Sequence, residues 1–308
     1  MEQFSSHPLF ARHNIDSAMS SLWEFYKKRF LSLFIISFAM SLVVQYASTL
    51  VNIKELSTIT DPMVMLEKMK GMIGPIVIIS VANLFFNTIL QYYVIYNPLD
   101  QQNNFFISVL KSLKYFIPYI IIMILLAFAG SIAIVLGILL LIIGVFFSIL
   151  YIMMLYLFIL PVMMVEGINI GNTITRTITL AHRNFWSNMG WVAVFVIILV
   201  VISVISSGII LLPFTGNFIK TIMNPEEASE LVNMAKSPLF IILSSLAGAL
   251  TFPLIPIFSC ILYFNGRARE DMIREAEASD PENARIKVAD LYAKPYSDDH
   301  PDNPENKV

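Results

Sequence analysis

From Tyr115 to Val165 the chain runs fifty-one residues without an Asp, Glu, Lys or Arg, bounded by Lys114 and Glu166. The hydrocarbon core of a bilayer is about 30 Å thick and an α-helix rises about 1.5 Å per residue, so roughly 20 apolar residues cross it once. This run is long enough to cross twice. It predicts a helical hairpin with its turn near Gly137 to Gly144. The rest of the chain repeats that theme: 57% of the 308 residues are hydrophobic, only 14% are charged, and mean hydropathy is +0.73. A soluble globular domain of that composition is excluded, and an integral membrane protein follows.

Hydropathy and punctuation together predict an all-α, polytopic transmembrane helix bundle. Residues 1–13 form a polar N-terminal segment, expected to be loosely ordered. A transmembrane domain covers 14–266, and 267–308 make an acidic cytoplasmic tail, disordered after 294. Six spans are expected at about 30–51, 72–96, 116–137, 143–165, 189–212 and 238–264. The first follows Lys27-Lys28-Arg29 and is long enough to cross, so it is expected to remain as a span and not to be removed as a signal peptide.

Each pair of spans is preceded by a candidate amphipathic helix lying along the membrane surface. Ile15, Met19, Leu22 and Tyr26 share one helical face, as do Phe105, Val109, Leu113 and Phe116, and again Ile170, Ile174, Ile178, Ala181 and Phe185. Asn14, Asp100 and Asn169 each stand sixteen residues before an aromatic residue at the start of a span, namely Phe30, Phe116 and Phe185. The layout is therefore three hairpins with a surface helix before each, an internal repeat. A short helix is expected around Pro225-Glu226-Glu227, and another beginning at Ser279-Asp280-Pro281-Glu282.

Basic residues set the orientation. With the N-terminus inside, the inner segments hold Arg12, Lys27, Lys28, Arg29, Lys111, Lys114, Arg176 and Arg183, against five Lys outside, even before the tail is counted. Both termini are expected in the cytoplasm. Net charge is only −2, but from Arg267 onward seven basic residues face eleven acidic ones, which makes the tail a separate water-exposed segment.

Catalytic signatures are missing. The chain has no HExxH helix, no phosphate-binding Gly-rich loop with Lys-Ser/Thr and no GxSxG elbow. Its four histidines make no ligand pair at helical spacing, and its single cysteine, Cys260, excludes an intrachain disulfide or cysteine cluster. No metal, cofactor or catalytic residue is expected, and no nucleic-acid partner. The spans hold no ionisable group of the kind that proton coupling uses, which disfavours a proton-driven transporter.

Three polar features remain. Asn83, Asn87 and Gln91 follow one another at i, i+4 and i+8 in the second span, with Gln45 of the first span as a natural partner. They could line a path for a solute or lipid headgroup, or serve as interhelical hydrogen bonds, the commoner use in membrane bundles. Pro253 and Pro256 remove backbone donors from the sixth span and predict a kink. At the inner border Glu166 stands among Arg176, Arg183, Arg267 and Arg269, where an ion pair with a surface-helix Arg is the simple reading. Those basic residues also favour anionic headgroups, at about 1 kcal/mol each near the surface.

The border carries a family resemblance. A span ending Pro161-Val162-Met163-Met164-Val165-Glu166-Gly167, a surface helix, and then His182-Arg183-Asn184-Phe185-Trp186 resembles the membrane domain fused to bacterial glycerophosphodiester phosphodiesterases and its stand-alone relatives. The run Tyr263-Phe264-Asn265-Gly266-Arg267-Ala268-Arg269-Glu270-Asp271 is similar to that domain's closing pattern, with Asn265 where the pattern has Asp and without its final Gly. The resemblance implies a multi-pass protein of the bacterial inner membrane and carries over no catalytic residue, since no phosphodiesterase domain is present. The expected role is a non-enzymatic one in membrane organisation, or as an adaptor, through lipid headgroups or a protein partner met by the acidic tail. The alternative is a passive or partner-driven transporter of a lipid or small solute.

Overall fold

The structure, a computed structural model, describes residues 2–51, 61–100, 105–216 and 233–279. The expected short helix at Pro225-Glu226-Glu227, the helix start at Ser279 to Glu282 beyond its first residue, and the tail after 294 lie outside the described residues. The chain divides into two compact units, Met1–Gly266 and Arg267–Val308.

Every regular element among the described residues is helical. In chain order they are α1 (Glu2–Ser5), α2 (Ile15–Lys28), α3 (Phe30–Ser48), α4 (Pro62–Tyr96), α5 (Phe105–Leu139), α6 (Leu141–Glu166), α7 (Ile170–Arg183), α8 (Phe185–Leu211), α9 (Pro238–Thr251) and α10 (Leu254–Ser279), with a 3-10 turn at Leu212–Phe214 after α8. Six segments are long and apolar enough to cross a bilayer: Phe30–Ser48, Pro62–Tyr96, Phe105–Leu139, Ile143–Glu166, Phe185–Phe214 and Pro238–Ala276. The all-α multi-pass bundle expected from hydropathy is the fold.

Two surface helices are separate elements with matching punctuation. Asn14 accepts from the backbone N–H of Ser17 at 2.8 Å while Ser17 Oγ accepts from the Asn14 N–H at 2.9 Å, a reciprocal cap that starts α2. Asn169 caps α7 through Asn172 N–H at 3.0 Å. Both helices are 14 residues long, and a single non-helical residue, Arg29 or Asn184, separates each from the span that follows. The second expected surface helix departs from this plan. Phe105 runs without interruption into the third span as α5: no glycine stands between Phe105 and Phe116, Ser112 Oγ turns back to Val109 O at 2.9 Å and caps no new helix, and Pro118 is accommodated inside the helix.

The central hairpin turns where expected, with only Leu140 between α5 and α6. The two helices touch backbone to backbone there: a Cβ added to Gly137 would lie 2.8 Å from the Gly144 carbonyl oxygen. Small residues play the same part between α3 and α9. Ser37, Ser41, Ser245 and Ala249 are fully buried, and a Cβ on Gly248 would run into Ser41 Oγ. Lipid tails are as apolar as Leu, so close packing by small residues, not hydrophobicity, brings spans together.

The sixth span is interrupted at the prolines where a kink was expected. α9 ends at Thr251, Phe252 and Pro253 are non-helical, and α10 starts at Leu254 with Pro256 in its first turn. The prolines supply no N–H, and the ladder tightens locally: Ile255 N–H bonds Phe252 O at 3.3 Å, between the helical bonds Phe252 N–H to Gly248 O at 2.9 Å and Ile257 N–H to Pro253 O at 3.3 Å. Beyond the break lies the most buried stretch among the described residues: Ile257, Phe258, Cys260, Ile261, Leu262, Tyr263 and Phe264 are each at most 1% exposed. The bundle thus packs around the start of α10 together with the second half of α6, where Leu157 to Leu160 and Val162 to Met164 are at most 3% exposed, while α5 turns most of its surface outward.

The N-terminal segment corrects the expectation of loose order. Phe4, His7 and Leu9 are buried, Phe4 packs against Tyr96 and Phe264 with ring centroids at 5.8 and 6.4 Å, and the His13 N–H donates to Asn265 Oδ1 at 2.9 Å. Its apolar residues are few, but aromatic side chains bury much area each.

Candidate functional site

The polar line of α4 divides by depth. Gln91 is buried, and its Nε2 donates to Pro256 O at 3.3 Å and Cys260 Sγ at 3.0 Å, tying α4 to α10 beside the break. Asn87 donates from Nδ2 to Tyr156 Oη at 2.9 Å and Tyr119 Oη at 3.2 Å, joining α4, α5 and α6. Asn83 is exposed and bonds only back to Ile79 O of its own helix, at 3.0 Å. Gln45 is half-buried and makes no hydrogen bond to the other three. The expected four-residue line is therefore two interhelical clasps, with Asn83 set apart. Tyr119 and Tyr156 belong to the site although the sequence reading passed over them. A tyrosine hydroxyl deep in an apolar span must find a partner, and that is the signal that marks them. A small cavity of about 130 Å³ opens beside Asn83, Asn87 and Tyr156, otherwise walled by apolar groups such as Met40 and Phe252.

At the end of α6 the expected ion pair forms with Arg176. Its Nε donates to Glu166 Oε2 at 2.8 Å, while Tyr263 Oη donates to Glu166 Oε1 at 2.9 Å. One carboxylate thus joins the end of α6, the surface helix α7 and the central helix α10. The turn that allows this is Gly167, at φ 122° and ψ 164°, a backbone region that is in practice reserved for glycine. The neighbouring carbonyl of Met164 accepts from Tyr96 Oη at 2.6 Å and Tyr115 Oη at 3.4 Å, so α4 and α5 are tied to the same end of α6. Farther along, Asn188 Nδ2 donates to Leu180 O and Ala181 O and holds α8 to the end of α7.

Beside this knot lies a cavity of about 310 Å³ lined by Glu166, Gly167, Asn172, Thr173, Arg176 and Thr179 among others. It is strongly polar, with a cation, an anion and several hydroxyls on its walls. Arg183, exposed at the end of α7, lies about 10 Å farther along the helix. In the second unit Arg267 pairs within its own helix, with Glu270 at 2.8 Å and Asp271 at 3.9 Å.

His7 is held neutral. Its Nδ1 accepts from Leu9 N–H at 3.1 Å, its Nε2 donates to Val94 O at 3.2 Å, and its ring lies 4.8 Å from that of Phe264. Burial drives its pKa down from 6.5 to about 4, with Arg29 adding to the effect. Among the described residues no group of three or more His, Cys, Asp or Glu is placed to hold a metal. No family model matches the chain, and neither a curated protein nor a solved structure is similar to it.

Proposed function

We propose that this is a non-enzymatic protein of the bacterial inner membrane, with both termini in the cytoplasm, that organises the membrane or anchors a partner at its cytoplasmic border. Its contacts are anionic headgroups along the basic surface helices and a protein partner at the acidic tail. The observation that carries this reading is the Glu166 knot. A carboxylate at the end of α6 fixes the orientation of the amphipathic helix α7 through Arg176 and of the central helix through Tyr263. A surface helix so held presents a fixed polar face, with the 310 Å³ hollow beside it, to headgroups or to a docked protein. The choice of membrane leans on the likeness to the phosphodiesterase-associated domain, and the orientation on the distribution of basic residues.

The amides within the spans favour this reading over transport. Asn87 and Gln91 spend their donors on neighbouring helices, which leaves the interior without a continuous polar path. One observation keeps transport as a second reading, the small cavity beside Asn83 and Asn87. The test compares two variant sets at matched membrane levels, scoring the anionic phospholipid and protein that copurify in mild detergent together with cellular phenotype. Replacing Asn83, Asn87 and Gln91 with Leu is expected to loosen packing and leave function largely intact. Replacing Arg176, Arg183, Arg267 and Arg269 with Gln and deleting the acidic tail is expected to abolish it. A dead triple-Leu protein beside a fully active border variant would replace this reading with transport.

A further inference from the structure

The walls of the hollow beside the Glu166 knot select the kind of ligand it can hold. Asn172, Thr175, Arg176 and Thr179 stand at i, i+3, i+4 and i+7 on α7, so they share one face within an arc of about 100°. Glu166 and Gly167 close the hollow from the end of α6. The face is held along the length of α7. Arg176 pairs with Glu166 at 2.8 Å, and near the other end His182 Nε2 lies 3.4 Å from Tyr151 Oη, so α7 folds back along α6. A volume of about 310 Å³ equals roughly ten water molecules at about 30 Å³ each, which is room for a headgroup of about as many heavy atoms.

Two groups of the lining have bonding capacity to spare. The Asn172 amide and the Thr175 hydroxyl are exposed and make no side-chain hydrogen bond among the described residues. The Thr173 and Thr179 hydroxyls already donate, to Asn169 O at 2.8 Å and Thr175 O at 2.9 Å, and offer a ligand only acceptors.

Charge narrows the ligand further. Arg176 and Glu166 supply one charge of each sign, so the lining as a whole is neutral. A purely anionic group drawn to Arg176 would bring a like charge against Glu166, and a purely cationic one drawn to Glu166 would do the same to Arg176. A zwitterion meets both, with phosphate oxygens toward the guanidinium and the two spare donors, and an ammonium toward the carboxylate. That ammonium is primary, because a carboxylate rewards N–H donors, and no lining residue is aromatic to supply the rings that hold a quaternary one. Ile168 and Ile178, next in the chain to Gly167 and Thr179, are exposed and give apolar contact to the acyl chains of a lipid.

We propose that this hollow seats the headgroup of a phosphatidylethanolamine-type lipid, its phosphate against Arg176, Asn172 and Thr175 and its primary ammonium against Glu166. The proposal rests on the reading that this border of the bundle contacts lipid, and it names the headgroup: basic helix faces draw anionic lipid by their field, whereas the hollow takes a neutral one.

The experiment uses the full chain, delipidated in mild detergent. Dioleoyl phosphatidylethanolamine, phosphatidylcholine or phosphatidylglycerol is added in equal amounts, and retained lipid is counted by native mass spectrometry. One phosphatidylethanolamine per chain is expected to be held about tenfold more tightly than either other lipid, which is what a hydrogen bond to a charged group supplies. Soluble O-phosphoethanolamine is expected to compete weakly, since it lacks acyl chains; competition as strong as the lipid's would overturn the lipid assignment. N172L/T175V changes only exposed side chains, so it is expected to keep the parent's melting temperature and lose the preference. E166Q is expected to exchange the preference for phosphatidylglycerol, because its lining carries a net positive charge. No preference in the parent, an unchanged preference in N172L/T175V, or phosphatidylethanolamine still preferred by E166Q would each overturn the proposal. If the parent instead retains phosphatidylglycerol and R176Q/R183Q releases it, the zwitterion falls while lipid contact at the border stands; if the parent retains no lipid, both fall.

Discussion

Replacing Gly167 with Ala tests the link between backbone and border site without touching a side-chain contact. An added Cβ would meet nothing within 4 Å, so no collision arises. The whole cost comes from the backbone, held at φ 122° and ψ 164°, where L-residues other than glycine are strained by about 1–3 kcal/mol. Alanine recovers part of that by restricting the unfolded chain, by about 0.5–1 kcal/mol. The net expectation is a loss of about 1–2 kcal/mol, read as a lower melting temperature of the intact protein in detergent. Gly190→Ala is the control. It lies inside α8, its Cβ also meets nothing, and it is expected to stabilise by up to about 1 kcal/mol. A second readout joins the turn to the ion pair. If the Gly167 turn sets Arg176 against Glu166, then Glu166→Gln costs less in the Gly167→Ala background than in the parent, a coupling that a double-mutant cycle measures. The reasoning fails if Gly167→Ala melts with Gly190→Ala at or above the parent, or if the two border substitutions add without coupling.

Two further expectations concern depth and acid. Cysteine at Asn83 should label with a lipid-phase reagent about as readily as cysteine at Ile78, while cysteine at Gln91 should resist; equal labelling at 83 and 91 would refute the division of the polar line. His7 titrates at about 4 when docked and near 6.5 when released, so the released state takes up the proton first. Docking of the N-terminal segment is then fully supported above about pH 6.5 and weakens by about 1.4 kcal/mol per pH unit as pH falls toward 4. Limited proteolysis within residues 4–13 should accelerate over that window, and His7→Gln should flatten the dependence; a pH-independent rate in the parent would count against it.

What could be read in advance follows from what lipid does to a sequence. Span number is set by hydrocarbon thickness, so the six apolar runs and the hairpin at Gly137 to Gly144 were legible, but helix bounds were not: α4 begins at Pro62 and not near 72, and α5 at Phe105 and not near 116. Helix starts were legible where a side chain does the capping, as at Asn14 and Asn169, and the plan failed at Phe116, where the expected surface helix runs on into the span. Burial was another matter. In water an apolar face points inward, but between spans the solvent is as apolar as the core, so the charge-free run from Tyr115 to Val165 revealed the environment of α5 and nothing about its place in the bundle. The centre is shared by the second half of α6, from Leu157 to Met164, and by Ile257 through Phe264, a segment marked by its prolines and by Cys260, Tyr263 and Asn265.

The same logic explains why the polar residues separated as they did. A group that hydrogen-bonds strongly is costly to leave unpaired in hydrocarbon, so its partner must come from another helix or from its own backbone. Gln91 faces a proline-broken helix and finds Pro256 O there; Asn87 faces two tyrosines; Asn83, one turn farther toward the exposed side, closes on Ile79 O. Spacing at i, i+4 and i+8 placed all three on one face but could not say what lay opposite, because the facing partners come from α5, α6 and α10, far away in sequence. At the border the constraint is different. Glu166 meets Arg176 and Tyr263 at the end of α6; Glu166 and Tyr263 stand in the two motifs that carried the resemblance, and Arg176 in the helix between them. Those short motifs, at the end of α6 and the end of the sixth span, meet in space at a single carboxylate. Holding the surface helix to the bundle is a physical reason for a chain to keep both.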